Sequence, residues 1–70
     1  MDKLVCFMAT ICVNNTPSYA EQAEYIVARA DKNDGTLWFY GAYEDVSTAF
    51  EVAEKIGGIY FHNFNGEKKA

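Results

Sequence analysis

Apolar positions along this chain gather into runs separated by polar, turn-forming stretches. The first run, Leu4 to Val13 (LVCFMATICV), lacks polar alternation and is rich in β-formers, which predicts a strand covered on both faces. Asn14 to Pro17 then supplies turn chemistry that ends it. Residues 18–31 support two readings. Ser18-Tyr19-Ala20-Glu21 has the form of a capping box, and Ala23, Ile26, Val27 and Ala30 fall at helical spacing. Against a helix, Tyr25-Ile26-Val27 is strongly β-forming. Lys32-Asn33-Asp34-Gly35 follows shortly after, leading into the aromatic run TLWFYGAY. Asp-Gly between apolar segments is a hairpin signal, which favours strands near Glu24–Asp31 and Thr36–Tyr43 with a tight reversal at Asp34-Gly35.

The next segment reads as a helix. Asp45 is a good N-cap, Thr48 and Glu51 form a further capping pair, and Val46, Ala49, Phe50, Ala53 and Ile56 make one apolar stripe. Gly57-Gly58 stops it, because glycine enters the left-handed conformation without a Cβ penalty. Ile59 to Phe64 is a last short strand, and residues 65–70 form a polar tail. The expected fold is α+β: one domain over residues 1–64, of order β-β-β-α-β, with the helix across one face of a sheet. The alternative order is β-α-β-α-β.

The stretch YIVARADKNDGTLWFYGAYED, the A-x-x-x-A spacing of the helix and the following IGGIYF resemble small uncharacterised proteins of bacteriophages and gut Firmicutes. The resemblance covers Tyr25 to Phe61 and rests on structural motifs. It supports the hairpin and implies a mobile-element origin, but it transfers no catalytic residue.

Composition narrows the function. Seventy residues hold one thin core, which association would strengthen. Ten acidic residues against six basic give a net charge of −4, which disfavours direct binding to nucleic acid or anionic membranes. Ten apolar residues at the N-terminus are too few to span a bilayer. They imitate a secretory signal that ends at a small-x-Ala site, but Asp2 spoils its basic flank, so the segment is read as structure. In a single extended strand Cys6 and Cys12 stand about 20 Å apart, too far for a disulfide. That predicts buried thiols and a cytoplasmic setting.

Side chains alternate along strands. For any even hairpin loop, Ala28, Ala30, Leu37, Phe39 and Gly41 therefore share one face, while Tyr25, Val27, Arg29, Trp38 and Tyr40 share the other. The first face, with its small residues, suits the helix. The second offers Tyr25, Arg29, Trp38 and Tyr40 as a partner-binding surface, in which Arg29 can stack over an indole ring. A second copy of the chain or its own N-terminal residues are the other candidate covers.

Catalysis has little support: the one histidine, His62, has no indicated neighbour, and a dyad with Cys6 or Cys12 lacks any local signal. Glu44 and Asp45 read as helix N-terminal charges. No short ligand pairs indicate a metal, and no cofactor is expected. The residues point to a non-catalytic binding protein, homo-oligomeric, that occupies a protein partner, and the mobile-element origin implied by the resemblance makes that partner a host protein such as a defence component. A nucleotide- or small-ligand-sequestering protein, with bases stacked on the rings, is the alternative. A third reading is an accessory structural domain with no separate activity.

Overall fold

A computed structural model describes residues 3–7 and 11–63. Its strands are β1 (Lys3–Cys6), β2 (Cys12–Thr16), β3 (Tyr25–Ala30), β4 (Leu37–Tyr43) and β5 (Ile59–His62). A 3-10 turn covers Ser18–Gln22, and one helix, α1, covers Val46–Ile56. The strands form one mixed sheet of order β1-β2-β4-β3-β5, antiparallel except where β2 meets β4. This is a small α+β fold with a single helix on one face of the sheet, as the sequence predicts. It has one strand more than expected.

The extra strand comes from the first apolar run, which is two strands and not one. Cys6 stands opposite Cys12 across the β1–β2 ladder, and a disulfide joins them. The predicted separation fails because the chain reverses between them. The Phe7 amide donates to the Ile11 carbonyl at 2.8 Å on the turn side of the pair. Residues 8–10, which the single-strand reading included, lie outside the described residues, as do Phe64 and the tail over 65–70.

Asn14 to Thr16 also departs from expectation, continuing β2 instead of ending it. The ladder slips by one residue between Lys3 and Val5, and Asn15 sits there at φ 60°. Asparagine tolerates the left-handed region, so turn chemistry is used here for a bulge. Thr16, fully buried, has its hydroxyl satisfied by the Val13 carbonyl at 2.9 Å.

Residues 18–31 divide between the two readings: a short 3-10 turn, then strand β3. The hairpin that follows is wider than a two-residue reversal. Ala30 pairs with Leu37, and the intervening loop closes through Asp31 N–H to Thr36 O at 2.7 Å and Gly35 N–H to Asp31 O at 2.9 Å. Gly35 takes φ 75° to complete it. The loop length remains even, so the facing of residues near it is kept.

Farther along, a bulge changes the facing. Val27 pairs with Gly41 but Ala28 pairs with Phe39, leaving Tyr40 as the extra residue. Leu37, Phe39 and Ala42 consequently pack in one cluster with Ile26, Ala28, Val13, Phe7 and Phe61. Gly41 moves to the opposite face, where the Tyr43 ring lies over it.

The helix covers the face opposite to the one expected. Ala49 and Ala53 are buried against Val27, with Tyr25, Tyr43, Val52 and Ile56 around them. Two alanines let the helix approach closely over Val27. The small-residue face carrying Ala28 is instead covered by Phe7, Ala20 and Ala23, with the Tyr19 ring edge-on to Phe39 at 6.4 Å. Full burial of Val13, Ile26 and Val27 across the two clusters stabilises the sheet by roughly 1.5–3 kcal/mol each.

Both helix ends follow their residues. The Asp45 carboxylate accepts from the Thr48 amide at 2.9 Å and the Thr48 hydroxyl at 3.1 Å, so Thr48 completes the Asp45 cap. Gly57 takes φ 70°, and Gly57 and Gly58 donate to the Glu54 and Ala53 carbonyls, which is the Schellman arrangement. The apolar stripe is narrower than predicted: Val46 and Phe50 are exposed.

Candidate functional site

The proposed contact residues separate into two places. Tyr25 packs inside the helix-side cluster, its ring 5.1 Å from that of His62, and is no part of an outward patch. The reason is the reversed face assignment: α1 lands on Tyr25 and Val27. Arg29, Trp38 and Tyr40 lie at the other end of the hairpin. Arg29 stands directly opposite Trp38 in the ladder, and all three line one shallow, open concavity with Lys32 and Asn33.

Exposure distinguishes this group from core aromatics. Trp38 is 47% exposed and Tyr40 48%, although both are in a central strand flanked by β2 and β3. The Tyr40 bulge turns an extra large ring to solvent, a device that commonly re-aims side chains. Asn14 of β2 stands opposite Trp38, and its side-chain amide donates to the Leu37 carbonyl at 3.3 Å. That bond fixes the strand at the Trp38 position.

The adjoining loop is ordered by its own carboxylates. Asp31 Oδ1 accepts from the Asn33 amide at 2.7 Å and the Asp34 amide at 3.4 Å. Asp34 Oδ1 accepts from the Thr36 amide at 3.0 Å and hydroxyl at 2.8 Å, and the Thr36 hydroxyl oxygen accepts from Trp38 Nε1 at 3.2 Å. Those bonds from Thr36, backbone first, hold the Asp34 carboxyl below its ordinary range. A chain of hydrogen bonds thus runs from the loop to the indole. Among the described residues, Arg29 and Lys32 have no ion-pair partner. The stacking of Arg29 over an indole, expected from sequence, is not among the ring contacts of the described residues. Locally, therefore, the carboxylates are engaged with the turn and the cations face solvent, in a chain whose net charge is −4.

His62 is placed with Tyr25 and Glu24, its Nε2 3.9 Å from Glu24 Oε2. It is on edge strand β5, whereas the cysteines are on β1 and β2 at the other edge and are bonded to each other. The structure does not bring a thiol–imidazole dyad together. Among the described residues no cluster of three potential metal ligands occurs.

Sequence reasoning missed two groups. Val46, Phe50, Ile59 and Tyr60 are exposed, with the Phe50 and Tyr60 rings edge-on at 5.8 Å. Helical spacing could have flagged Phe50, which lies on the margin of its stripe. Asn63 is fully buried and donates through Nδ2 to the Glu21 and Ala23 carbonyls at 2.9 and 2.8 Å. Nothing in its local sequence signals that role. No family model matches the chain, and no curated protein or solved structure matches it either.

Proposed function

We propose that this chain is a non-catalytic binding protein that occupies a protein partner through Arg29, Trp38 and Tyr40. The observation carrying this reading is the half-exposure of two large rings beside a cation that has no ion-pair partner among the described residues, on a hairpin end ordered by its loop bonds. Trp, Tyr and Arg are the residue types that dominate binding energy at protein interfaces. A preordered hairpin loses less conformational entropy on docking than a loose one. The resemblance to phage proteins directs the partner search to bacterial host proteins, defence components among them, with blockade as the mode of action.

Light scattering on the wild type and a Trp38→Ser/Tyr40→Ser variant, together with quantitative capture from a bacterial host lysate, tests this. The variant is expected to lose capture of the partner. If its oligomeric state changes instead, the surface serves a second copy of the chain. Unchanged mass and unchanged capture would remove the proposal.

One observation favours the second reading: Arg29 and Lys32 share the concavity with both rings, which suits a base stacked on an aromatic and a phosphate beside the cations. A melting scan against nucleotides separates the readings, since a ligand of the folded form raises the transition. The cytoplasmic expectation is weakened by the Cys6–Cys12 disulfide, because cytosolic thiol buffers keep such pairs reduced. Among the described residues no helix is long and apolar enough to cross a membrane.

A further inference from the structure

The Cys6–Cys12 disulfide takes no part in the docking surface, yet its position couples it to the core. The two cysteines face each other across β1–β2, and Cys6 is exposed. The next residue, Phe7, is 4% exposed, with its ring 5.5 Å from that of Phe61 on β5. Since β1 and β5 are opposite edges of the sheet, the Phe7 ring just after β1 reaches across to close the cluster containing Ile26 and Ala28. One covalent bond at an exposed edge therefore fixes the ring that covers the far edge. Among the described residues, the helix-side cluster of Val27, Ala49 and Ala53 has no member from β1 or β2.

We propose that this disulfide is a redox latch whose reduction by a dithiol releases Phe7 from Phe61 and leaves β3, β4, β5 and α1 folded. A thiolate of the dithiol attacks Cys6 Sγ, forming a mixed disulfide and expelling the Cys12 thiolate, which takes up a proton. The second thiol of the reductant then displaces Cys6 and becomes oxidised with the first to a disulfide. Two electrons and two protons pass to the protein, which ends with two thiols. β1 is an edge strand laddered to β2, while β2 is also held by β4, so the bond acts on β1 and Phe7 by withholding entropy from their open form. For a loop this short that effect is on the order of fifty-fold in the opening equilibrium. The latch is closed in an oxidising compartment and open in a reducing cytoplasm.

Hydrogen exchange on the full chain, with and without dithiothreitol, tests the latch, alongside alkylation and mass measurement. Two alkylated thiols are expected only after reduction. Exchange of the Phe7 amide should then rise on the order of fifty-fold while amides of Val46–Ile56 change less than about threefold. A Cys6→Ser/Cys12→Ser variant should match the reduced protein and ignore dithiothreitol. Thiols present before reduction, unchanged exchange at Phe7, an equal rise throughout α1, or an unfolded double variant each overturns the proposal.

Discussion

Asp34 illustrates how one exposed carboxylate orders a hairpin end. Its hydrogen bonds from Thr36 favour the ionised form, so the folded pKa lies below the ordinary 3.8. A lowered folded pKa means that the stabilisation is present above the unfolded value and is lost as pH falls through the folded one. A carbon-detected NMR titration should give Asp34 a midpoint below 3.8. In Asp34→Asn, the acid limb of the stability curve below about pH 4 should flatten, since the neutral amide has no proton to gain. Glycines 57 and 58 make a second residue-scale contrast. Gly57→Ala should cost about 1–2 kcal/mol for its left-handed backbone, because open space surrounds its Cβ position. Gly58→Ala should cost more in the same urea melts, since its Cβ would run into the Ala28 carbonyl and push β5 off β3.

Among the elements, α1 is where local residues and tertiary position agree. Asp45→Ala removes the acceptor for both Thr48 bonds and should destabilise the protein by about 1 kcal/mol in urea unfolding, with Asp45→Asn close to wild type. The cap and the glycine stop were legible because each depends on residues within one turn. Which face of the sheet the helix takes was not legible, because Ala49 and Ala53 fit either a small-residue face or a single buried Val27. The hairpin was likewise readable from Asp34-Gly35 and the flanking β-formers, while the Tyr40 bulge was not. Inserting one residue reverses every later side chain, so the parity argument holds for Leu37 and Trp38 and fails at Gly41. In the first run no glycine, proline or asparagine marks the reversal between Cys6 and Cys12. The residues with turn chemistry, Asn14 and Asn15, serve the β2 bulge instead. Of the candidate site, Arg29, Trp38 and Tyr40 were found through their chemistry, and Tyr25 was lost through the helix face.

At the scale of the whole molecule, two thin clusters on opposite faces must be held together by bonds that cross between segments. Asn63 supplies the most concentrated of these. Its backbone amide donates to Glu24 O at 2.7 Å, extending the β3–β5 ladder, while Nδ2 ties down both the 3-10 turn, at Glu21, and the residue that caps it, Ala23. The turn presents Ala20, fully buried, to the cluster that also contains Phe61, so this one side chain secures the cover over that face. Asn63→Leu is close in size but removes the Nδ2 donor from the buried Ala23 carbonyl and the half-buried Glu21 carbonyl, each worth roughly 1–3 kcal/mol. The expected loss is therefore larger than that for the Asp45 cap, on the order of 2–4 kcal/mol in urea unfolding. Increased exchange should be concentrated at Ala20 and Ala23, whose amides bond within the turn segment. Trp38→Ser/Tyr40→Ser should cost on the order of 2–3 kcal/mol in the same melts, because each ring is about half buried and Trp38 also loses its bond to Thr36. A wild-type-like Asn63→Leu melt would mean that the turn is held by its apolar contacts alone, and the assignment of Asn63 as the tie between segments would fail.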